Sequence, residues 1–174
     1  AMFNYAFMLE NGEGIPVNYE EAIKYYKIAA DKGNSEAMKN YALMIFNGKG
    51  VPINYEEAIK YFKMSADKGN LDGMTSYALM LSFGLGTPVN SEEAIKYYKI
   101  AIDKGHPGAM NNYAYMLECG NGVPVNYEEA IKYYKIAISK GCGASMFHYA
   151  EMLKEGKGVE VNIDEAIKYY KIAI

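Results

Sequence analysis

Two kinds of segment alternate along this chain, and each carries its apolar residues at helical spacing. In Ala37 to Phe46, the positions Met38, Tyr41, Ala42 and Ile45 fall at i, i+3, i+4 and i+7, one stripe of an α-helix. The segment after it places Ala58, Ile59, Tyr61, Phe62 and Ala66 on a broader stripe, with Glu56 and Lys60 spaced as an i,i+4 ion pair on the outer face. The first kind is helix A and the second helix B. Between them, Gly48-Lys49-Gly50 ends helix A by supplying positive φ at low steric cost, and Pro52 holds the chain extended until helix B begins. Asn54 opens helix B as a cap, with Glu57 spaced to reach back in an Asn version of the capping box. Gly69, after Lys68, is where a left-handed residue closes helix B.

The whole pattern returns every 36 residues. Ala22, Ala58, Ala94, Ala130 and Ala166 share one phase, Gly33, Gly69, Gly105 and Gly141 another. The cap recurs as Asn18/Glu21, Asn90/Glu93, Asn126/Glu129 and Asn162/Glu165. Each helix pair has two apolar faces and covers only one by itself, so the pairs must stack. The expected architecture is all-α, an αα-hairpin solenoid of five 36-residue units (1-36, 37-72, 73-108, 109-144, 145-174) forming one array over 1-174. Ala1 matches Ala37, inside a unit, and Ile174 matches Ile138, just before the Ser139-Lys140-Gly141 stop, so the chain reads as a piece of a longer array. The fifth unit has Glu160 in place of the loop proline and begins helix B with Ile163-Asp164, and its loop is expected to sit slightly differently.

In the fourth unit the stretch reads Tyr113-Ala114-x-Met116-Leu117, Gly120-x-Gly122-Val123, Asn126-x-x-Glu129-Ala130, then Lys135-Ile136-Ala137 with Lys140-Gly141. This unit resembles the Sel1-like repeat, a relative of the tetratricopeptide repeat, and the resemblance extends over the whole chain. It departs from the usual pattern by same-role swaps: Tyr98 and its equivalents where Trp is common, Asn126 where Asp is common, and Tyr113-Ala114 where Leu-Gly is common. The resemblance implies a right-handed solenoid with helix A lining its concave surface, and a non-catalytic adaptor that holds partner proteins or peptides.

Composition narrows the partner. All 18 basic residues are Lys, so the chain has no guanidinium fork for bidentate phosphate contacts, and the net charge of -3 disfavours nucleic acid. No apolar run is long enough to insert this fragment in a membrane. Cys119 and Cys142 fall at different phases and read as free thiols, which slightly favours a reducing compartment such as the cytoplasm. The Gly-x-Gly loops follow helices, not strands, and serve as turns, not phosphate cradles. His106, at the phase of Asn34 and Asn70 and next to Pro107, fits a helix cap. No metal-ligand spacing surrounds either histidine and no nucleophile, base and oxyanion set assembles, so neither cofactor nor enzymatic role is expected.

The positions that change from unit to unit lie on one side of helix A, at phases 3, 4, 7, 10 and 11. Asn4, Asn40 and Asn112 share a phase with Ser76 and His148, a ladder of polar side chains suited to the backbone of an extended peptide. Phe3, Phe46, Leu79, Phe83 and Tyr115 supply apolar pockets beside it, with Leu43 on the same face, and Lys39 and Lys154 add weak steering. The alternative is that this stripe is packing between units with polar filler. A second function stands beside peptide binding: helix A of the first unit and helix B of the last stack end to end in self-association, against a monomer.

Overall fold

The computed structural model describes residues 1–173 of the 174. Among them are ten α-helices: α1 (Met2–Asn11), α2 (Tyr19–Asp31), α3 (Ser35–Asn47), α4 (Tyr55–Asp67), α5 (Leu71–Phe83), α6 (Ser91–Asp103), α7 (Pro107–Cys119), α8 (Tyr127–Ser139), α9 (Gly143–Glu155) and α10 (Ile163–Ile172). Odd-numbered helices are of the A kind and even-numbered ones of the B kind. The chain forms two compact units, Ala1–Asn90 and Ser91–Ile174. In the first, each helix packs on the next from α1 to α5, and α3 also touches α5; in the second, the chain of contacts runs from α6 to α10, with α7 touching α9. Packing of each hairpin only on its neighbours in sequence is the mark of an α-solenoid.

Helix A begins two residues earlier than the apolar stripe indicates, because a cap fixes its start. The Asn34 side chain accepts from the Ala37 amide at 2.7 Å, Asn70 from Gly73 at 2.8 Å, and His106 does the same through Nδ1 to Ala109 at 3.1 Å. The expected histidine cap is therefore present, with Pro107 in the first helical turn. Small residues let the helices approach: Ala42, Ala58, Ala78, Ala114 and Ala130 are completely buried, and Met44, Met80 and Met152 fill the space around them.

Helix B starts differently from its expected capping box. The Asn18 side chain accepts from the Glu21 amide at 3.0 Å, and Asn54, Asn126 and Asn162 repeat this with Glu57, Glu129 and Glu165. The glutamate, however, does not reach the backbone N–H of the cap. In three copies it accepts from the cap's own side-chain amide, at 3.4 Å for Glu21. The cap's backbone N–H is already committed: Asn18 donates to the Leu9 carbonyl, Asn54 to Ile45, Asn90 to Leu81, Asn126 to Leu117 and Asn162 to Leu153, at 2.9–3.3 Å. This latch ties the start of helix B to a carbonyl in the last turn of helix A, where the helix's own amides run out. The fifth loop, expected to differ for lack of proline, closes with the same latch at 2.9 Å and the same positive φ at Gly156 and Gly158. Glu56 and Lys60 form no ion pair; α4 instead pairs Lys63 with Asp67 at 3.7 Å.

The second glycine of the loop has a further duty. A Cβ on Gly50 would lie 2.6 Å from the Tyr19 backbone of the preceding helix B, and Gly86 meets Tyr55 in the same way. Gly14 has the same left-handed φ but open space around it. Gly14→Ala is expected to lose ~1 kcal/mol, the cost of a side chain in left-handed backbone. Gly50→Ala adds a collision between backbones that must separate, and about 3 kcal/mol is expected. Urea denaturation of the two variants checks this, and equal losses would show that the close approach carries no cost.

Candidate functional site

The variable face of helix A divides in the structure into side chains tied to their own fold and side chains left to solvent. In the first unit, Asn40 is half-buried and donates through Nδ2 to the Tyr26 hydroxyl at 3.2 Å. Tyr26, fully buried on α2, donates in turn to Glu10 Oε2 at 2.9 Å, and Lys49 from the next loop reaches Glu10 Oε1 at 3.4 Å. Burial holds the Tyr26 hydroxyl well above the ordinary phenol range, with Asn40 opposing and Glu10 reinforcing the rise. The tyrosine therefore stays neutral and serves as a relay between amide and carboxylate.

Three repeats further on, Glu118, Tyr134, His148 and Lys157 stand at the same four phases. Tyr134 donates to Glu118 at 2.9 Å, Lys157 pairs with Glu118 at 3.5 Å, and His148 lies against the Tyr134 ring, 5.5 Å between centroids and nearly parallel. The imidazole is bracketed by Tyr115 at 5.2 Å and Phe147 at 5.7 Å. In the hairpin after the first cluster, the phases of Glu10, Tyr26, Asn40 and Lys49 hold Phe46, Phe62, Ser76 and Leu85. There Phe46 packs on Phe62 at 6.5 Å, and Phe62 is fully buried. Carboxylate, hydroxyl and ammonium have been replaced together, which keeps any one of them from being buried without its partner.

Other members of the expected site are placed as follows. Asn112 is half-buried and accepts from Asn111 Nδ2 at 3.1 Å, while Asn111 accepts from the buried Ser145 at 2.9 Å. Lys39 pairs with Glu36 at 2.9 Å and with Asp72 on the next helix A at 3.3 Å, so its charge is met within the fold. Lys154 is likewise paired, with Glu151 at 3.0 Å. Asn4, Leu43 and Phe83 are exposed, and Ser76, Leu79, Phe46 and Tyr115 are half-buried. The tyrosine relays escaped sequence reasoning, which counts tyrosine at a core phase as apolar filler. The signal was the joint change from Glu10 and Lys49 to Phe46 and Leu85.

A second recurring cluster was also missed. Lys27 on α2 holds its ammonium 5.0 Å from the ring centres of both Tyr41 and Tyr61, donates to the Tyr61 hydroxyl at 2.8 Å, and lies 3.8 Å from Glu57. Tyr41 and Tyr61 meet edge to face at 4.6 Å, and Tyr41 donates to Glu57 at 2.8 Å. The hydrogen bond to Tyr61 holds the Lys27 pKa above its ordinary value against the opposing effect of burial. Burial first, then Glu57, pushes Tyr41 up to about 12. In the second unit Lys99 lies over Tyr113 at 5.8 Å and Lys135 over Tyr149 at 5.1 Å, repeating the contact of Lys27 with Tyr41.

Among the described residues, no group of three or more His, Cys, Asp or Glu side chains is placed to hold a metal ion, and no helix is long and apolar enough to cross a membrane. Cys119 and Cys142 are free, the former exposed.

The profile of the Sel1 repeat matches residues 1–34, 35–70, 71–106, 107–142 and 143–174. No curated protein matches the chain. Among solved structures, a Sel1 repeat protein from Oxalobacter formigenes superposes with a TM-score of 0.85 at 26% identity, over 99% of this chain and 68% of that one. A protective antigen of uropathogenic Escherichia coli strains, displaying an SLR fold, gives 0.79 at 27% identity over 99% of this chain. This chain spans only 37% of that antigen's length. An immunity protein from Pseudomonas aeruginosa, 18% identical with a TM-score of 0.70 over 99% of this chain and 63% of its own, shares the fold alone.

Burial depresses the His148 pKa, more than the Glu118 and Glu151 carboxylates raise it. The unfolded chain then takes up the proton first as pH falls below ~6.5, so this residue's contribution to stability is present above that pH and is lost below it. Thermal unfolding of His148→Asn, which installs the residue found at this phase in α3, is expected to fall less than wild type between about pH 7 and about pH 5. Parallel pH profiles would remove His148 from the acid sensitivity of the fold.

Proposed function

Because this chain belongs to the Sel1 repeat family along its whole length, we propose that it is a non-catalytic scaffold that binds an extended segment of a partner protein on the helix A face. The family and its fold support a protein-interaction role; the peptide mode is our reading of this chain's own side chains. The observation that carries it is the contrast between phases. At the recurring positions Ala42, Ala78, Ala114 and Ala150 and Met44, Met80, Met116 and Met152 are buried, whereas the changing phases of helix A leave Phe7, Leu43, Phe83 and Phe147 exposed beside polar groups. Apolar side chains kept in water on one face of successive helices mark a contact surface better than scattered exposure does.

In the first unit, the reading gives Leu43 and Phe83 the side-chain contacts, with Phe46 and Leu79 between them. Asn40 spends one N–H on Tyr26 and keeps its carbonyl and second N–H for a peptide backbone. Ser76 and Asn4 offer shorter polar contacts at the same phase. In the second unit, Asn112, Tyr115 and His148 take the corresponding roles, with His148 held by its stack on Tyr134. Lys39, already paired to Glu36 and Asp72, braces neighbouring helices and does not steer a ligand. The array itself we read as one series of five 36-residue, right-handed hairpins.

The test uses exposed side chains that the fold does not need. Leu43→Ala with Phe83→Ala is expected to leave the unfolding midpoint nearly unchanged and to weaken capture of a partner from native lysate about tenfold or more. Identical protein lists from wild type and variant, read by mass spectrometry, would place the contact elsewhere.

A further inference from the structure

Asn11, Asn47 and Asn121 are each followed directly by glycine. In such a pair the glycine nitrogen can close a five-membered ring on the asparagine Cγ, and no Cβ on the glycine hinders its approach. Two conditions govern the reaction. The nitrogen must be free of a hydrogen bond, and the asparagine backbone must be able to leave the helical region so that the next nitrogen swings onto Cγ.

The fold meets these conditions at one of the three pairs. Asn11 and Asn47 are the last residues of α1 and α3. The Gly12 amide donates to the Met8 carbonyl at 2.8 Å, and the Gly48 amide to Ile45 at 3.4 Å with Met44 as a second acceptor. Their side chains are held as well: Asn11 Nδ2 donates to the Phe7 carbonyl and Asn47 Nδ2 to Leu43, each at 2.9 Å. Asn121 instead lies past the end of α7, in the loop itself, between the left-handed Gly120 and Gly122. Its own N–H donates to the Met116 carbonyl at 3.0 Å, which anchors the residue on its N-terminal side only. Among the described residues, neither the Gly122 N–H nor the Asn121 side chain has a hydrogen-bond partner, and Gly122 is exposed. The other loops carry Glu13, Lys49, Leu85 and Lys157 at this phase.

We propose that Asn121 is a self-modification site, at which the folded chain deamidates while Asn11 and Asn47 are spared. The Gly122 nitrogen gives its proton to solvent hydroxide and bonds to Asn121 Cγ; the Cγ–Nδ2 bond breaks and the amide leaves as ammonia. Water then opens the cyclic imide. Opening at the former side-chain carbonyl gives aspartate, and opening at the main-chain carbonyl gives isoaspartate. Water is consumed and ammonia released, with no oxidant or cofactor. Aspartate keeps the main chain and puts a carboxylate where the first hairpin has the exposed Glu13. Isoaspartate routes the main chain through Cβ, which lengthens the loop ahead of the Asn126 latch to Leu117. Gly122 there lies so close to Ser91 on α6 that a Cβ would overlap its side chain, so the longer loop strains this approach. The modification is independent of partner binding on the helix A face.

Incubation of the folded chain at mildly alkaline pH, then proteolysis and mass spectrometry, reads each asparagine separately; a parallel sample in guanidinium chloride reads the unfolded chain. In the folded chain Asn121 is expected to convert about tenfold faster than Asn47 or more, because Asn47 must wait for the helix end to open. In denaturant the two rates are expected to converge. Asn121→Gln, which would have to close a larger ring, is expected to fold normally and to lose the acidic species that isoelectric focusing resolves in aged wild type. Asn47 converting as fast as Asn121 in the folded chain overturns the inference, as does a folded chain in which Asn121 stays intact. A difference that persists in denaturant also overturns it, because local sequence and not the fold would then select the site.

Discussion

Everything in this molecule depends on one backbone hydrogen bond, repeated five times. The amide of the residue that caps helix B donates to a carbonyl in the last turn of helix A. That carbonyl belongs to the helix end, where the helix's own amides run out, and the amide would otherwise be an orphan of the helix start. Pairing them folds helix B back against helix A and fixes the loop between them. Because both groups belong to the backbone, the latch is indifferent to the side chains in the loop. The fifth hairpin lacks the loop proline and closes identically. The two left-handed glycines follow as requirements: the first lets helix A stop, and the second lets the loop lie against the backbone of the preceding helix B.

With the hairpins fixed, neighbouring ones must cover each other, and here the chain uses two solutions in one frame. Around Tyr26, a buried hydroxyl relays between Glu10 and Asn40 of the next helix A; around Tyr134 the hydroxyl donates to Glu118 and the ring stacks on His148. Around Phe62 two rings pack together instead, and carboxylate, hydroxyl and ammonium are gone together, with Ser76 in place of Asn40. Buried polar groups cost little when satisfied and a great deal when orphaned, so such clusters change as sets. A comparable compensation joins Ser65 and Gly73. Ser65 stands where Ala29 and Ala101 do, donates to the Ser35 carbonyl at 2.8 Å, and its extra oxygen occupies the space of the Cβ that Gly73 lacks. The lysine cages work at the surface instead, each contributing about 0.5–1 kcal/mol and serving mainly to fix register.

Much of this was legible in the sequence because repetition is its own alignment. The 36-residue period, the helix pairs, the Asn and His caps and the glycine stops follow from local rules that act over a few residues. Local rules say nothing about which partner a cap's amide finds, and so the reciprocal capping box was expected where the latch stands. The site was legible only as a face. Asn4, Asn40 and Asn112 form a ladder by phase, yet one is exposed and the others are tied to Tyr26 and Asn111, differences that arise from neighbours many residues away. Lys39 and Lys154 are cations in sequence and ion-paired struts in space.

The sequence by itself determined the unit, its length, its two helices and its stacking, because apolar periodicity and caps are properties of short stretches of chain. The tertiary structure alone decided which side chains of one face are spent on packing and which remain exposed to solvent. It also decided that a tyrosine at a core phase is a hydrogen-bond relay, and that a surface lysine is the plug of the next hairpin's cage. Those outcomes depend on distances between residues some 14 to 40 positions apart, set when one hairpin closes on another and desolvates the groups between them.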